Sequence, residues 1–127
     1  MDPKAKTVRE FWQLFDEARF DDVAELLLPD CNIYWPNTRE LFRGRDKLIA
    51  VNKEYPGRWH IDVLDVIVKD DLAISIVRVY SKENKHSFYA TSFFKFKHDL
   101  IAEITEYWGE ITAAPAWRIA KGLSETY

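Results

Sequence analysis

The sequence predicts an α+β domain, with three helices packed on one face of a curved antiparallel sheet of four or five strands. Three observations carry this reading. Apolar residues recur at helical spacing in the first half of the chain and crowd into strand-like runs in the second. The links between those runs are only two or three residues long, which joins neighbours as antiparallel hairpins. The 127 residues are 47% hydrophobic and 15% aromatic with four glycines, enough for one core and too apolar for a disordered chain. A single domain spanning 1–127 is expected, with its core at about 7–110 and a tail at 111–127.

Val8, Phe11, Trp12 and Phe15 fall at i, i+3, i+4 and i+7, so residues 6–18 read as an amphipathic helix. Asp22 and Glu25 have the spacing of a capping box for a second helix, whose buried stripe is Val23, Leu26 and Leu27 and whose end is Pro29. Residues 31–35 read as a short strand stopped by Pro36. Gly44 precedes a third helix carrying Leu48, Val51 and Tyr55, and Pro56-Gly57 breaks it. Four strands follow, at 58–68, 72–81, 86–98 and 100–110. Lys69-Asp70-Asp71, Glu83-Asn84-Lys85 and His98-Asp99 separate them.

Strand parity sorts the side chains. Ser75, Val77 and Val79 oppose Ile74, Ile76, Arg78 and Tyr80, and Phe88, Ala90, Ser92, Phe94 and Phe96 oppose Tyr89, Thr91, Phe93 and Lys95. Both faces carry apolar bulk. One packs on the helices; the other meets a partner, most simply a second copy.

The charge balance excludes some functions. A net charge of -3 gives no general attraction to nucleic acid or anionic membrane. Met1 to Glu10 is charged and lacks the apolar stretch of a signal peptide, and no apolar run approaches the roughly 18 residues of a membrane helix. One cysteine excludes an internal disulfide, which fits a cytoplasmic location. Cys31 reads as an inert core thiol. The cluster Arg39, Arg43, Arg45 and Lys47, broken by Glu40 and Asp46, reads as a solvated face. His60, His86 and His98 lack metal-ligand spacing; His60-x-Asp62 could place two ligands on one strand face but reads as an ordinary solvated pair, so no metal and no cofactor are expected.

The last strand carries the chemistry. Ile104, Glu106 and Trp108 share a face. With Ile104 and Trp108 inward, Glu106 is a carboxyl among apolar neighbours, whose pKa rises and suits acid/base work. A pairing of Glu106 with an arginine, or with solvent, is the competing reading.

The chain resembles the SnoaL-like branch of the nuclear transport factor 2-like superfamily over roughly residues 7–118. The resemblance rests on Phe11-Trp12-x-Leu14-Phe15 through Phe20-Asp21-Asp22-Val23-Ala24-Glu25-Leu26. It continues in Trp35-Pro36 followed by Gly44-Arg45-Asp46-x-Leu48, and in Ile104-x-Glu106-Tyr107-Trp108 with Pro115-x-Trp117-Arg118. It implies a cone: a curved antiparallel sheet wrapped around the N-terminal helices, with a pocket at the mouth and commonly a homodimer through the outer sheet face. It also implies what is missing. The positions of the ketosteroid isomerase catalytic tyrosine and two aspartates hold Phe11, Trp35 and Ser92. The limonene epoxide hydrolase Arg and two Asp fall on Ser75, Val77 and Glu106, so only the last keeps a carboxylate.

What the resemblance leaves is an apolar pocket for a small, mostly apolar or aromatic molecule. Glu106 is the expected acid or base, and Phe11, Phe15, Trp35, Ser75, Val77, Ser92 and Trp108 are the expected ligand-binding residues. His60 joins them if its strand turns it inward beside Glu106. Three functions stay open: proton-transfer enzyme, non-catalytic ligand binder, and association module using the outer face and the Ala114–Trp117 tail.

Overall fold

The computed structural model describes residues 1–83 and 85–127. Asn84, within the expected Glu83–Lys85 connection, lies outside the described residues. The first helix, α1 (Pro3–Asp16), begins earlier than the apolar spacing indicates. The Asp2 carboxylate accepts a 2.8 Å hydrogen bond from the Lys4 amide, and Pro3 occupies the first turn, where its missing N–H costs nothing. Val8, Phe11, Trp12, Leu14 and Phe15 form its buried stripe.

The second helix is a correction. It is a short 3-10 helix, Asp21–Leu26, and the chain is extended from Leu27 onward. Asp22 makes no cap; its carboxylate takes the Arg19 Nε at 2.9 Å. Pro29 does not end a helix but sits inside β1 (Leu27–Trp35), where the pairing register shifts between Leu27 and Asn32. A bulge is one of the few places a strand tolerates a residue without an N–H.

β2 (Glu40–Arg43) was not expected. It pairs antiparallel with β1 and brings Arg43 into the sheet. Gly44 then turns with φ 84, donates its N–H to Asn32 Oδ1 at 3.2 Å and starts α2 (Arg45–Glu54). A Cβ at Gly44 would strain this backbone and stand 3.3 Å from the Pro29 carbonyl oxygen. Arg45, from the presumed solvated cluster, is structural. Its Nη1 donates to the carbonyls of Ala24 and Leu27 at 3.1 and 3.0 Å, tying α2 to the end of the 3-10 helix.

β3 (His60–Lys69), β4 (Leu72–Tyr80), β5 (Ser87–Lys97) and β6 (Leu100–Glu110) pair antiparallel in order. His98 and Asp99, at φ 52 and 66, make the two-residue turn between β5 and β6, both in the left-handed region such hairpins require. The sheet has six strands in the order β2-β1-β6-β5-β4-β3, rather than four or five, and is curved and unclosed. It is also not wholly antiparallel: β1 runs parallel to β6. A short α3 (Ala116–Ala120) follows the sheet. No described helix is long and apolar enough to cross a membrane.

The core lies between α1 and the concave face. Phe11 meets Phe15, Trp12 and Phe94 edge-on, with ring centroids 4.8, 4.9 and 5.2 Å away. Cys31 is fully buried, and its lost hydration, reinforced by Asp30 and Glu103, pushes the thiol up to about 12. Iodoacetamide at pH 8 is therefore expected to alkylate the native chain more than about a hundredfold slower than the urea-unfolded chain. Equal rates would contradict this placement.

The convex face has its own order. The strand registers line up Ile67, Ile74, Phe93, Thr105, Tyr34 and Leu41 as one row across all six strands. The next row holds Asp65, Ile76, Thr91 and Tyr107.

Candidate functional site

A cavity of about 410 Å³ opens between α1, the ends of β1 and β6, and the loop joining α2 to β3. Its buried wall includes Phe11, Trp12, Phe15, Leu48 and Glu106. Its exposed rim includes Asn37, Thr38, Lys53, Tyr55 and Arg58. The volume falls within the range of sites that enclose small organic ligands.

Glu106 reaches this wall because β6 alternates faces between Ile104, Glu106 and Trp108, and because Glu106 stands directly opposite Ser92 on β5. The residue is 2% exposed. Trp35 Nε1 donates to Oε1 at 3.0 Å, and Ser92 Oγ pairs with Oε2 at 2.9 Å. Among the described residues no cation pairs with it. Burial pushes its pKa above the ordinary 4.5; the Trp35 and Ser92 hydrogen bonds oppose the rise without cancelling it.

The two partners differ in a useful way. An indole N–H only donates, so Oε1 is an acceptor in either protonation state. A serine hydroxyl donates to a carboxylate or accepts from a carboxylic acid. Glu106 can therefore lose or gain a proton with no more rearrangement than the rotation of one hydroxyl. That suits proton exchange with a bound molecule.

Trp35 and Trp108 neither fill the cavity nor stand free. Their rings meet edge-on with centroids 5.9 Å apart, and Trp35 also packs on Phe42 at 4.6 Å. Asn37 holds Trp108 from the β1–β2 turn. Its Oδ1 accepts from the Trp108 amide and its Nδ2 donates to the Trp108 carbonyl, both at 2.7 Å.

The structure brings Phe11, Phe15, Trp35, Glu106 and Trp108 together around the cavity. Ser92 stands behind Glu106 as its hydrogen-bond partner. Ser75 and Val77 lie buried in the sheet outside the cavity wall, and Ser75 accepts a 2.9 Å hydrogen bond from Trp12 Nε1. His60 does not join Glu106. A register shift between Val63 and Asp65 changes which residues of β3 face inward, and Ile61, Val63, Val66 and Val68 pack on the core. His60 stands opposite Tyr80, and its Nδ1 lies 3.5 Å from Asp16 Oδ1. Asp62 pairs with Arg78 at 3.3 Å, so the two share no ligand. No metal-type cluster of His, Cys, Asp and Glu occurs among the described residues.

Sequence reasoning missed Trp12, Phe20, Tyr55, Trp59 and Phe88 as cavity residues. Phe88 was legible, since it shares a strand face with Ala90 and Ser92. Tyr55 and Trp59 come from the loop after α2, where no periodicity reports direction.

A curved, unclosed sheet around an N-terminal helix, with a cavity at its mouth, defines the nuclear transport factor 2-like class. Within it the chain belongs to the SnoaL-like domain family, whose model matches residues 8–104. A Kribbella flavida protein, provisionally named a ketosteroid isomerase, superposes with a TM-score of 0.84 at 22% identity, covering 98% of this chain and 90% of its own. An NTF2-like protein from Burkholderia xenovorans superposes at 0.82 with 21% identity, covering 98% and 95%. A Mycobacterium tuberculosis epoxide hydrolase of the limonene epoxide hydrolase-like type superposes at 0.71 with 14% identity, covering 95% and 89%. At these identities the likeness shows the fold. No curated protein matches the sequence.

Proposed function

We propose that this protein binds a small, mostly apolar organic molecule in the cavity and exchanges a proton with it through Glu106. The observation that carries the reading is a buried carboxyl group at the wall of an aromatic cavity, held by one indole and one hydroxyl with no described cation beside it. A ligand with an apolar plane and one polar handle fits that lining. Trp35 and Trp108 would stack or abut the plane, and Glu106 would address the carbon or oxygen whose proton moves. Isomerisation, cyclisation, dehydration and hydrolysis share such a step.

The test uses 2-tetralone, a neutral planar ketone with acidic C–H bonds. Binding is followed by tryptophan fluorescence and α-proton exchange by proton NMR in deuterated buffer. The expected result is exchange above the buffer background, lost by at least about a hundredfold in Glu106→Gln while binding persists. Equal exchange in the variant would sink the catalytic role. Among the described cavity residues Glu106 is the only buried ionisable group, whereas most enzymes of this kind use two; binding without exchange would therefore favour a ligand-binding module.

We further infer that the convex face pairs with a second copy. Ile67, Tyr89 and Tyr107 are about half exposed, at 54%, 48% and 50%, on a face that also carries Ile74, Ile76 and Phe93. An apolar centre with a charged rim, here Lys95 with Glu103 and Arg78 with Asp62, is the anatomy of an interface.

A further inference from the structure

Residues 111–127 follow β6 as an arm, and every residue in it is exposed. The Ile111 amide donates to the Ser87 carbonyl at 2.8 Å. Beyond Ile111 no hydrogen bond or ion pair joins the arm to the sheet among the described residues. Yet part of the arm is helical. α3 closes with the Gly122 amide on the Ile119 carbonyl at 3.0 Å and the Leu123 amide on the Arg118 carbonyl at 3.0 Å, with Gly122 at φ 68. Arg118 and Lys121 lie over the Trp117 ring at 5.7 and 6.0 Å.

A five-residue helix has no stability of its own in water, because so few bonds cannot offset the cost of nucleation. Helices this short are held by the surface they pack on. Here Trp117, Ile119 and Leu123 remain 57%, 43% and 67% exposed, so the described residues leave much of their apolar surface uncovered. The Kribbella and Burkholderia structures each align with 98% of this chain, which leaves no room to omit the arm.

We propose that residues 111–127 are an exchange arm. In a homodimer the arm of each copy lies on the convex sheet face of the other, with Trp117, Ile119 and Leu123 seated beside the Ile67–Ile74–Phe93 row. The proposal rests on the sheet pairing inferred above and adds the arm to it. The same chain carries two unpartnered apolar surfaces, and one two-fold contact covers both. Two twisted sheets laid face to face touch at the centre and splay at the corners, which leaves an edge for an arm to fill. Charge fits as well. Asp65 stands exposed in the row beside Ile67 and has no cation among the described residues, while Arg118 and Lys121 flank Trp117. A standard interface takes roughly 20–30 residues a side, and the arm enlarges the surface the convex face alone can offer.

The full chain, its Trp117→Asp/Leu123→Asp variant and a Tyr107→Lys variant are compared by sedimentation equilibrium from 1 to 200 μM. The wild-type chain is expected to be a dimer, and the arm variant is expected to dissociate at least a hundredfold more readily. A Glu125→Cys chain carrying a benzophenone, with Cys31 protected by burial, is mixed as heavy- and light-isotope copies and irradiated. Cross-links between copies are expected on β3–β6 peptides. An arm variant that dimerises like wild type while Tyr107→Lys dissociates would overturn the arm and leave the sheet pairing standing. Cross-links confined to single copies would overturn the arm as well. A monomeric wild-type chain would overturn both, without touching the cavity reading.

Discussion

Replacing Glu106 by glutamine is expected to stabilise the protein at neutral pH and to flatten its stability against pH. The carboxyl group sits buried with its pKa above the ordinary 4.5. The folded state therefore keeps a proton that the unfolded chain releases. Below about 4.5 both states are protonated and the folded state has its full stability. As pH rises from there towards the folded-state value, stability falls by about 1.4 kcal/mol per pH unit, and it levels off above that value. Glutamine removes the titration and keeps the geometry: its amide oxygen accepts from Trp35 Nε1 and its amide nitrogen donates to Ser92 Oγ. The gap between variant and wild type should widen as pH rises above about 4.5 and then level off, in urea unfolding followed by circular dichroism. A Glu106→Ala chain should instead lose stability, since it leaves the Trp35 N–H and the Ser92 hydroxyl without their partner, at about 1–3 kcal/mol for each buried group. A Glu106→Gln chain less stable than wild type at pH 7 would mean that the carboxylate is held as an anion. A site residue whose removal stabilises the fold is what function at the expense of stability looks like.

The largest loss is expected from Phe94→Ala. Phe94 is fully buried, with the Phe11 ring 5.2 Å and the Trp12 ring 6.3 Å from its own. Truncation removes apolar burial and opens a void that the aromatic cluster cannot close, at about 3–5 kcal/mol. For a domain of this size that lowers the melting temperature by roughly 10–20 °C. Phe93, one residue earlier, faces the convex side and packs on Tyr107 at 5.9 Å. In a monomeric background such as Tyr107→Lys, Phe93→Ala should cost about 1 kcal/mol or less, since a half-covered side chain loses little burial. Calorimetry of the two variants ranks the faces, and a reversed order would contradict the β5 register.

Much of the fold was legible, for reasons that can be located. Helix α1 announces itself because four aromatic and aliphatic residues sit at helical spacing. The turns at Asp70 and His98-Asp99 are legible because short links between apolar runs leave few other connections. What was not legible depends on distance along the chain. Leu26-Leu27-Leu28 reads equally as helix or strand, and only the pairing of Leu27 with Ile101 decides it. The parallel pairing of β1 with β6 joins Ile33 to Ile104, and nothing local encodes that. β2 was read as a charged surface because its four residues, Glu40 to Arg43, begin and end on charges and do not alternate.

The site divides in the same way. Glu106 and Trp108 were found because strand parity placed them on one face. The Trp35 and Ser92 hydrogen bonds to Glu106 were not, because they depend on the register between strands rather than on either strand alone. The register shift in β3 removed His60 from the candidate set; the apolar alternation changes phase between Val63 and Val66, but the apolar Leu64 and Ile67 on the other face mask it.

Carbon-13 titration of the Glu106 side-chain carboxyl tests the central claim most directly. With selectively labelled glutamate, and Glu106→Gln used to assign the resonance, its titration should lie clearly above 4.5. A midpoint for Glu106 at or below 4.5 would show a carboxylate stabilised as an anion, and the proton-exchange role of the cavity would fall with it.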